Sequence, residues 1–307
     1  MGRIVALACV LLLCVVFGAY AHMSKPQYMT WYAHDSHITV VSVATVCPDC
    51  NVTVMIVCGI HGRELLTARL CEHWKEQLEN DPRHSLVRFV LVPRLNEAGL
   101  TEALTKPCWR GNANGVDLNR NWPPIPIDVD KDARLDNKAE TRPGPRPLSE
   151  PETEALRLAL RYYRPHILLA VHSGAEAILY PYDANTDEEL PNKGDHIQLA
   201  NWIKHGHCDQ CEVARSQDLL YSATGTLTDY WYWYGTSNLA LTLEIYGPQE
   251  VTNATTCQQQ FQPESAQEQE AVIARWSALL RRFQYLTGTE YQLLASMTAD
   301  SGKVLHE

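Results

Sequence analysis

Four nearly uninterrupted apolar stretches punctuate the chain: "VTVMIVCGI" from Val52, "LVRFVLVP" from Leu86, "HILLAVH" from His166 and "NLALTLEI" from Asn238. They are rich in β-branched residues and too continuous for strands with one wet face, so they predict a largely parallel sheet buried on both faces. Helix-like segments alternate with them, over roughly 64–79, 149–163, 195–206 and 264–286. The second of these opens with Ser149-Glu150-Pro151-Glu152, read as a capping box with proline in the first turn. The proline- and charge-rich stretch from Pro123 to Pro147 has no periodicity and predicts an excursion over the surface. Without an internal repeat, a low-complexity tract or a break in composition, the order of elements predicts a single α/β domain: a largely parallel mixed sheet flanked by helices on both faces.

The first twenty-one residues do not belong to that pattern. A single charge at Arg3, an apolar run and the small-x-small ending Ala19-Tyr20-Ala21 describe a secretory signal peptide cleaved after Ala21. No other run is long and apolar enough to span a bilayer, so no stable membrane association is expected once the leader is removed. The expected location is the extracellular space or the lumen of the secretory or endolysosomal pathway. The formal charge of −10 becomes −11 without Arg3, and no basic cluster of the kind nucleic acids require is present. Of ten cysteines, Cys9 and Cys14 leave with the leader, and eight remain in a compartment that permits disulfides. The pairs Cys47/Cys50 and Cys208/Cys211 could suggest a redox motif or a zinc ribbon, but lie far apart in the chain and read better as structural disulfides. Sequons at Asn51 and Asn253 suit surface loops of a secreted glycoprotein.

Candidate chemistry sits at the ends of the predicted strands. "GIHGREL" presents His61 and Glu64 just after the first strand, and "AVHSG" places His172 at the end of another, where open α/β sheets build their sites. Two histidines and a carboxylate make a catalytic zinc set with one coordination position open for water. Taken alone the same residues also suit a strand-end histidine and a first-turn acid favoured by the helix dipole. The loop "CWRGNANGVDLNRNWPP" adds Arg110, Asn112, Asn114, Asn119, Arg120 and Asn121, a density of guanidinium and amide donors suited to gripping an anion.

Taken in order, His61-Gly62-Arg63-Glu64, Arg110, Asn119-Arg120-Asn121-Trp122-Pro123, "SEPET" at 149–153, His172-Ser173-Gly174 and "LTLEI" with Glu244 resemble the zinc carboxypeptidases of the carboxypeptidase A type, over about residues 28–286. The resemblance implies a carboxypeptidase-like catalytic domain over 22–290, followed by a C-terminal tail over 291–307. It implies one Zn²⁺ held by His61, Glu64 and His172, Arg110 polarising the scissile carbonyl, Asn119 with Arg120 binding the substrate's terminal carboxylate, and Glu244 as the base. By the same resemblance Tyr221 closes over the substrate, eight residues before Asp229, and Thr228 lies at the floor of the pocket for the C-terminal side chain. A threonine carries no charge, so the expectation is an exopeptidase preferring neutral apolar or aromatic C-terminal residues. The expected partners are free C-termini of peptides and proteins. The chain leaves no room for a propeptide after the leader or for a β-sandwich after the last helix, which predicts a minimal catalytic unit made active.

Two rival readings share these residues. Aspartoacylase-like zinc amidohydrolases resemble the His-x-x-Glu, Asn-Arg and distant His, but the Trp122-Pro123 extension, the "SEPET" start and the leader favour the peptidase. A secreted binding protein that kept the fold and lost activity predicts a replaced Glu244 or metal ligand, and all are in place.

Overall fold

The computed structural model describes residues 27–33, 36–43, 52–80, 86–130, 140–235, 239–248 and 255–298. The expected leader, Cys47, Cys50 and both sequon asparagines lie outside these residues. Eight strands form one sheet: β1 (Gln27–Ala33), β2 (Ser36–Val43), β3 (Val52–Val57), β4 (Val87–Val92), β5 (Ile167–His172), β6 (Ala175–Tyr180), β7 (Glu212–Arg215) and β8 (Leu239–Tyr246), in the order β1-β2-β4-β3-β5-β8-β6-β7. The four apolar runs become the central block β4-β3-β5-β8, in which every neighbouring pair is parallel. Every residue of β3 and of β5 is buried. Successive side chains of a strand point to opposite faces, so this burial means that both faces of the middle of the sheet are covered.

The flanks depart from the parallel block. β1, β2 and β4 pair antiparallel in turn, β6 pairs antiparallel with β8, and β7 pairs parallel with β6. None of these four outer strands was among the runs expected from the sequence. β7 has only four residues, none of them buried, and β6 begins with two half-buried positions, so neither carries a continuous apolar signal.

Nine helices occur among the described residues: α1 (Leu65–Asn80), α2 (Glu97–Ala103), α3 (Pro151–Tyr163), α4 (Lys193–Lys204), α5 (Ser216–Leu219), α6 (Leu227–Tyr234), α7 (Cys257–Phe261), α8 (Ala266–Gln284) and α9 (Gly288–Met297). Helix α1 buries Leu66, Leu70, Trp74 and Leu78, one stripe at a spacing of four. Helix α8 answers with Val272, Ile273, Trp276, Leu279, Leu280 and Phe283. The Trp74 indole donates to the Trp276 carbonyl at 3.3 Å, and the Trp276 indole donates to Ile245 of β8 at 3.0 Å, so the buried polar ends of both rings are satisfied. Each fully buried aliphatic side chain of this stripe contributes about 1.5–3 kcal/mol.

Three local expectations need correction. Helix α3 starts at Pro151 with Glu150 as N-cap, and no side chain caps it. Asn121 Oδ1 instead accepts from the Glu150 amide at 3.2 Å and from Thr153 Oγ1 at 2.6 Å, which ties the helix start to a distant loop. The boundary expected at 290 falls inside α9, whose first turn carries a capping box between Thr287 and Glu290 and whose Leu294 and Met297 are buried. The stretch 123–147 has no helix or strand in its described parts, yet it does not simply cross the surface. Ile125 and Asp128 are buried, and Thr224 Oγ1 donates to Asp128 Oδ2 at 2.8 Å. Disulfides join Cys58–Cys71, Cys108–Cys257 and Cys208–Cys211.

Candidate metal centre and cleft

Strand order brings the candidate ligands together. β3 and β5 are neighbours, β5 and β8 are neighbours, and His172 pairs in register with Glu244. Four residues after β3 ends comes His61, and Glu64 immediately precedes α1. The turn between them is tied at several points. The Cys58–Cys71 disulfide links the strand end to α1, the Gly59 amide donates to Thr67 Oγ1 at 3.1 Å, and Thr67 Oγ1 donates to the Glu64 carbonyl at 2.8 Å. Gly62 is where two backbones meet. A Cβ there would lie 2.4 Å from the Gly99 carbonyl oxygen of α2 and 2.8 Å from that of Trp109, so only glycine allows the approach.

His61, Glu64 and His172 each offer one ligand atom within 4.8 Å of the others, and all three are buried. Both histidines turn Nδ1 toward the same carboxylate: His61 Nδ1 lies 2.6 Å from Glu64 Oε1, and His172 Nδ1 lies 3.0 Å from Glu64 Oε2. The Nε2 of His172 has no hydrogen-bond partner. Burial would raise the Glu64 carboxyl, but the two histidines outweigh it and hold the group well below the usual range. Burial, with the Arg110 charge added, pushes His61 down; for His172 the carboxylate of Glu64 overcomes burial and pushes it up. Two imidazoles and an ionised carboxylate converging at the buried end of the cleft form a donor set that fits a divalent zinc ion.

Asp117 was not singled out from the sequence, and it connects the two halves of the site. Its Oδ1 lies 3.1 Å from His61 Nε2 and accepts the Asn119 amide at 2.8 Å, and its Oδ2 accepts Arg110 Nε at 2.8 Å. Asp117 is fully buried. Burial alone would raise it, but the charges of Arg110, His61 and Arg120 hold it well below the usual carboxylate range. Such a carboxylate fixes the orientation of a ligand histidine through the nitrogen that does not face the metal. The available signal was a lone acid inside the donor-rich "NGVDLNRN".

The six donors of that loop divide into two groups. Arg110, Asn119 and Arg120 line the cleft that also holds the metal set. The other three are structural: Asn112 and Asn114 donate to Glu150 at 2.8 and 2.7 Å, and Asn121 donates to the Pro143 carbonyl at 2.8 Å. Arg120 Nη1 donates to the Asn119 carbonyl at 2.7 Å, and its Nη2 donates to the Tyr221 hydroxyl at 3.2 Å. Tyr221 is 55% exposed at the mouth of the cleft. The loop that carries it is fixed by Gly225, at φ +75°, where a Cβ would meet the Arg120 carbonyl oxygen at 2.6 Å. Glu244 is half-buried, its Oε2 has no hydrogen-bond partner, and the loss of solvation around it pushes its carboxyl up to about 7.

Thr228 is placed differently from the expectation. It is buried but does not line the cleft; its hydroxyl donates to Asp183 Oδ2, and it is Asp183 that lines the wall. Asp229 turns to the backbone, accepting the Asp183 amide at 3.0 Å and the Ala184 amide at 2.8 Å. This part of the cleft wall therefore combines the carboxylate of Asp183 with uncharged Ala223 and Thr226.

Carboxypeptidase O of Bos taurus is 32% identical over 197 residues, covering 56% of this chain and 52% of that protein. Carboxypeptidase A6 of Homo sapiens is 36% identical over 202 residues, covering 58% of this chain and 46% of that protein. The chain thus spans about half the length of these curated relatives. The crystal structure of the carboxypeptidase A from Helicoverpa armigera superposes with a TM-score of 0.67 at 17% identity, covering 91% of this chain and 72% of that one, a likeness of fold. The family model described as zinc carboxypeptidase matches residues 23–277, which include every ligand and cleft residue described above, and the chain belongs to that family.

Proposed function

We propose that the chain is a zinc-dependent exopeptidase that hydrolyses the C-terminal peptide bond of peptides and proteins, acting outside the cell or in the lumen of the secretory or endolysosomal pathway. One observation carries this reading: the His61–Glu64–His172 set shares a single cleft with Arg110, Asn119, Arg120 and the unpartnered carboxylate oxygen of Glu244. His61, Glu64 and His172 would hold one zinc ion, which when bound polarises a carbonyl and lowers the pKa of its water. Glu244 takes the proton of the attacking water and hands it to the leaving amine, a task suited to a carboxylate with an unpartnered oxygen in the same cleft. Arg110, anchored through Nε by Asp117, directs the rest of its guanidinium at the oxygen on which negative charge develops. Arg120 and Asn119 bind the terminal carboxylate, and Tyr221 closes over the substrate from the mouth of the cleft.

The leader supports export, and no helix among the described residues is long and apolar enough to cross a membrane. The net charge of −10 gives nucleic acid no footing. The test pairs zinc analysis of the purified protein with one peptide offered as the free acid and as the C-terminal amide. One zinc per chain and release of a single residue from the free acid alone are expected, because a guanidinium that grips a carboxylate gains little from an amide. Equal rates on acid and amide would show an endopeptidase or amidase instead.

A further inference from the structure

Three acids line the cleft among the described residues: Glu64, Glu244 and Asp183. The first two belong to the metal set and the proposed base. Asp183 has no such employment. It is 7% exposed, and none of the described ion pairs includes it. The guanidinium groups in the lining are engaged elsewhere: Arg63 with Glu140, Arg110 with Asp117, and Arg120 with the Asn119 carbonyl and Tyr221.

Its setting holds it in place. Thr226 Oγ1 donates to Asp183 Oδ2 at 2.6 Å, and Thr228 Oγ1 donates to the same oxygen, while no described hydrogen bond ends on Oδ1. The Asp183 backbone is fastened on both sides, its amide to Asp229 and its carbonyl to the Ala223 amide at 2.7 Å. Ala223 lies two residues from Tyr221, and the Leu227 amide donates to Asn119 Oδ1 at 2.9 Å. The wall bearing Asp183 is therefore continuous with the groups proposed to bind the terminal carboxylate. A residue held there by Asn119 and Arg120 would have Asp183 in the wall of the same cleft.

We propose that Asp183 is the specificity-determining residue of the cleft and selects substrates that end in lysine or arginine. This rests on the exopeptidase reading. A neutral side chain packed against Asp183 strips water from a carboxylate and returns no counter-charge. An ammonium or guanidinium supplies that charge together with a charge-assisted hydrogen bond to the oxygen that the threonines leave free.

The test compares kcat/KM of the zinc-loaded full chain on matched peptides ending in Lys, Arg, Leu, Phe and Glu, for the native protein and for Asp183→Asn. Lys or Arg should lead Leu and Phe by roughly 100-fold, with Glu slowest, and in Asp183→Asn the Lys-to-Leu ratio should fall by about the same factor. A lead for Leu or Phe in the native protein, or an Asp183→Asn ratio that does not move while all rates drop together, would overturn the assignment. Should Asp183→Asn not fold, the order of the native rates alone decides. Should the native protein release no C-terminal residue at all, calorimetry of the same peptides separates the two claims: Lys- and Arg-selective binding upholds Asp183 and rejects the exopeptidase, and unselective binding rejects both.

Discussion

At the scale of single residues, the site joins two kinds of carboxylate that behave oppositely. Asp117 is surrounded by Arg110, His61 and Arg120 and is held ionised, whereas Glu244 faces the metal set with one oxygen unpartnered and is pushed up. Removing each should therefore fail differently. Glu244→Gln leaves the three ligands untouched and should retain zinc while turnover falls by several orders of magnitude. Asp117→Asn loosens the hold on His61 and leaves Arg110 Nε facing an amide; zinc affinity should fall roughly 10- to 100-fold, with activity falling alongside. Zinc titration against a chelator, run beside peptide turnover, distinguishes them. A Glu244→Gln protein that loses its metal, or an Asp117→Asn protein that binds it normally, would reverse these roles.

At the scale of elements, the metal set depends on how closely the turn after β3 can approach α2. Gly62 donates its amide to the Arg110 carbonyl at 3.0 Å while its α-carbon faces the Gly99 carbonyl, so one residue joins the strand end, the helix and the loop that carries Arg110. Gly62→Ala places a methyl group against two backbone oxygens that cannot rotate away. It should destabilise by about 3 kcal/mol, the upper end for overpacking, and weaken zinc binding as the turn opens. Gly194, near the start of α4, borders open space: a methyl group added there would meet nothing within 4 Å. Gly194→Ala should therefore stabilise by about 0.5–1 kcal/mol. Urea unfolding of both variants is the measurement. Equal effects at the two sites would mean that the approach at Gly62 is not tight.

At the scale of the whole molecule, two distant segments of the chain supply the proposed metal set. His61 and Glu64 come from the turn between β3 and α1 and His172 from the end of β5, so zinc should bind the folded chain and little else. With free zinc at 1,000 times its dissociation constant, binding contributes about 4 kcal/mol of stability. In a domain of this length that corresponds to a rise in Tm of about 10 °C. Calorimetry with and without a chelator should show that difference, and should show much less of it in His172→Ala. An unchanged Tm on metal removal would mean that the set does not couple distant segments.

What the sequence determined by itself is whatever a short window encodes. The central strands and four of the helices were legible within a few residues, because continuous β-branched runs and helical periodicity are local properties that survive in any packing. His61, Glu64 and His172 could be nominated because each sits at or just beyond a strand end that the pattern marks, and Glu244 through the motif set that resembles the zinc carboxypeptidases. Edge strands escaped, since a short, half-exposed strand such as β7 needs no apolar run. Only the tertiary structure decided which acids matter. Asp117 meets His61 across 56 positions of sequence, and Asp183 meets Thr228 across 45. Thr226 and Thr228 reach Asp183 only because α6 packs beside the loop after β6. A side chain's neighbours across elements are set by that packing, so the resemblance could nominate Thr228 for the floor of the pocket, while in the folded chain Thr228 stands behind Asp183, which lines the cleft.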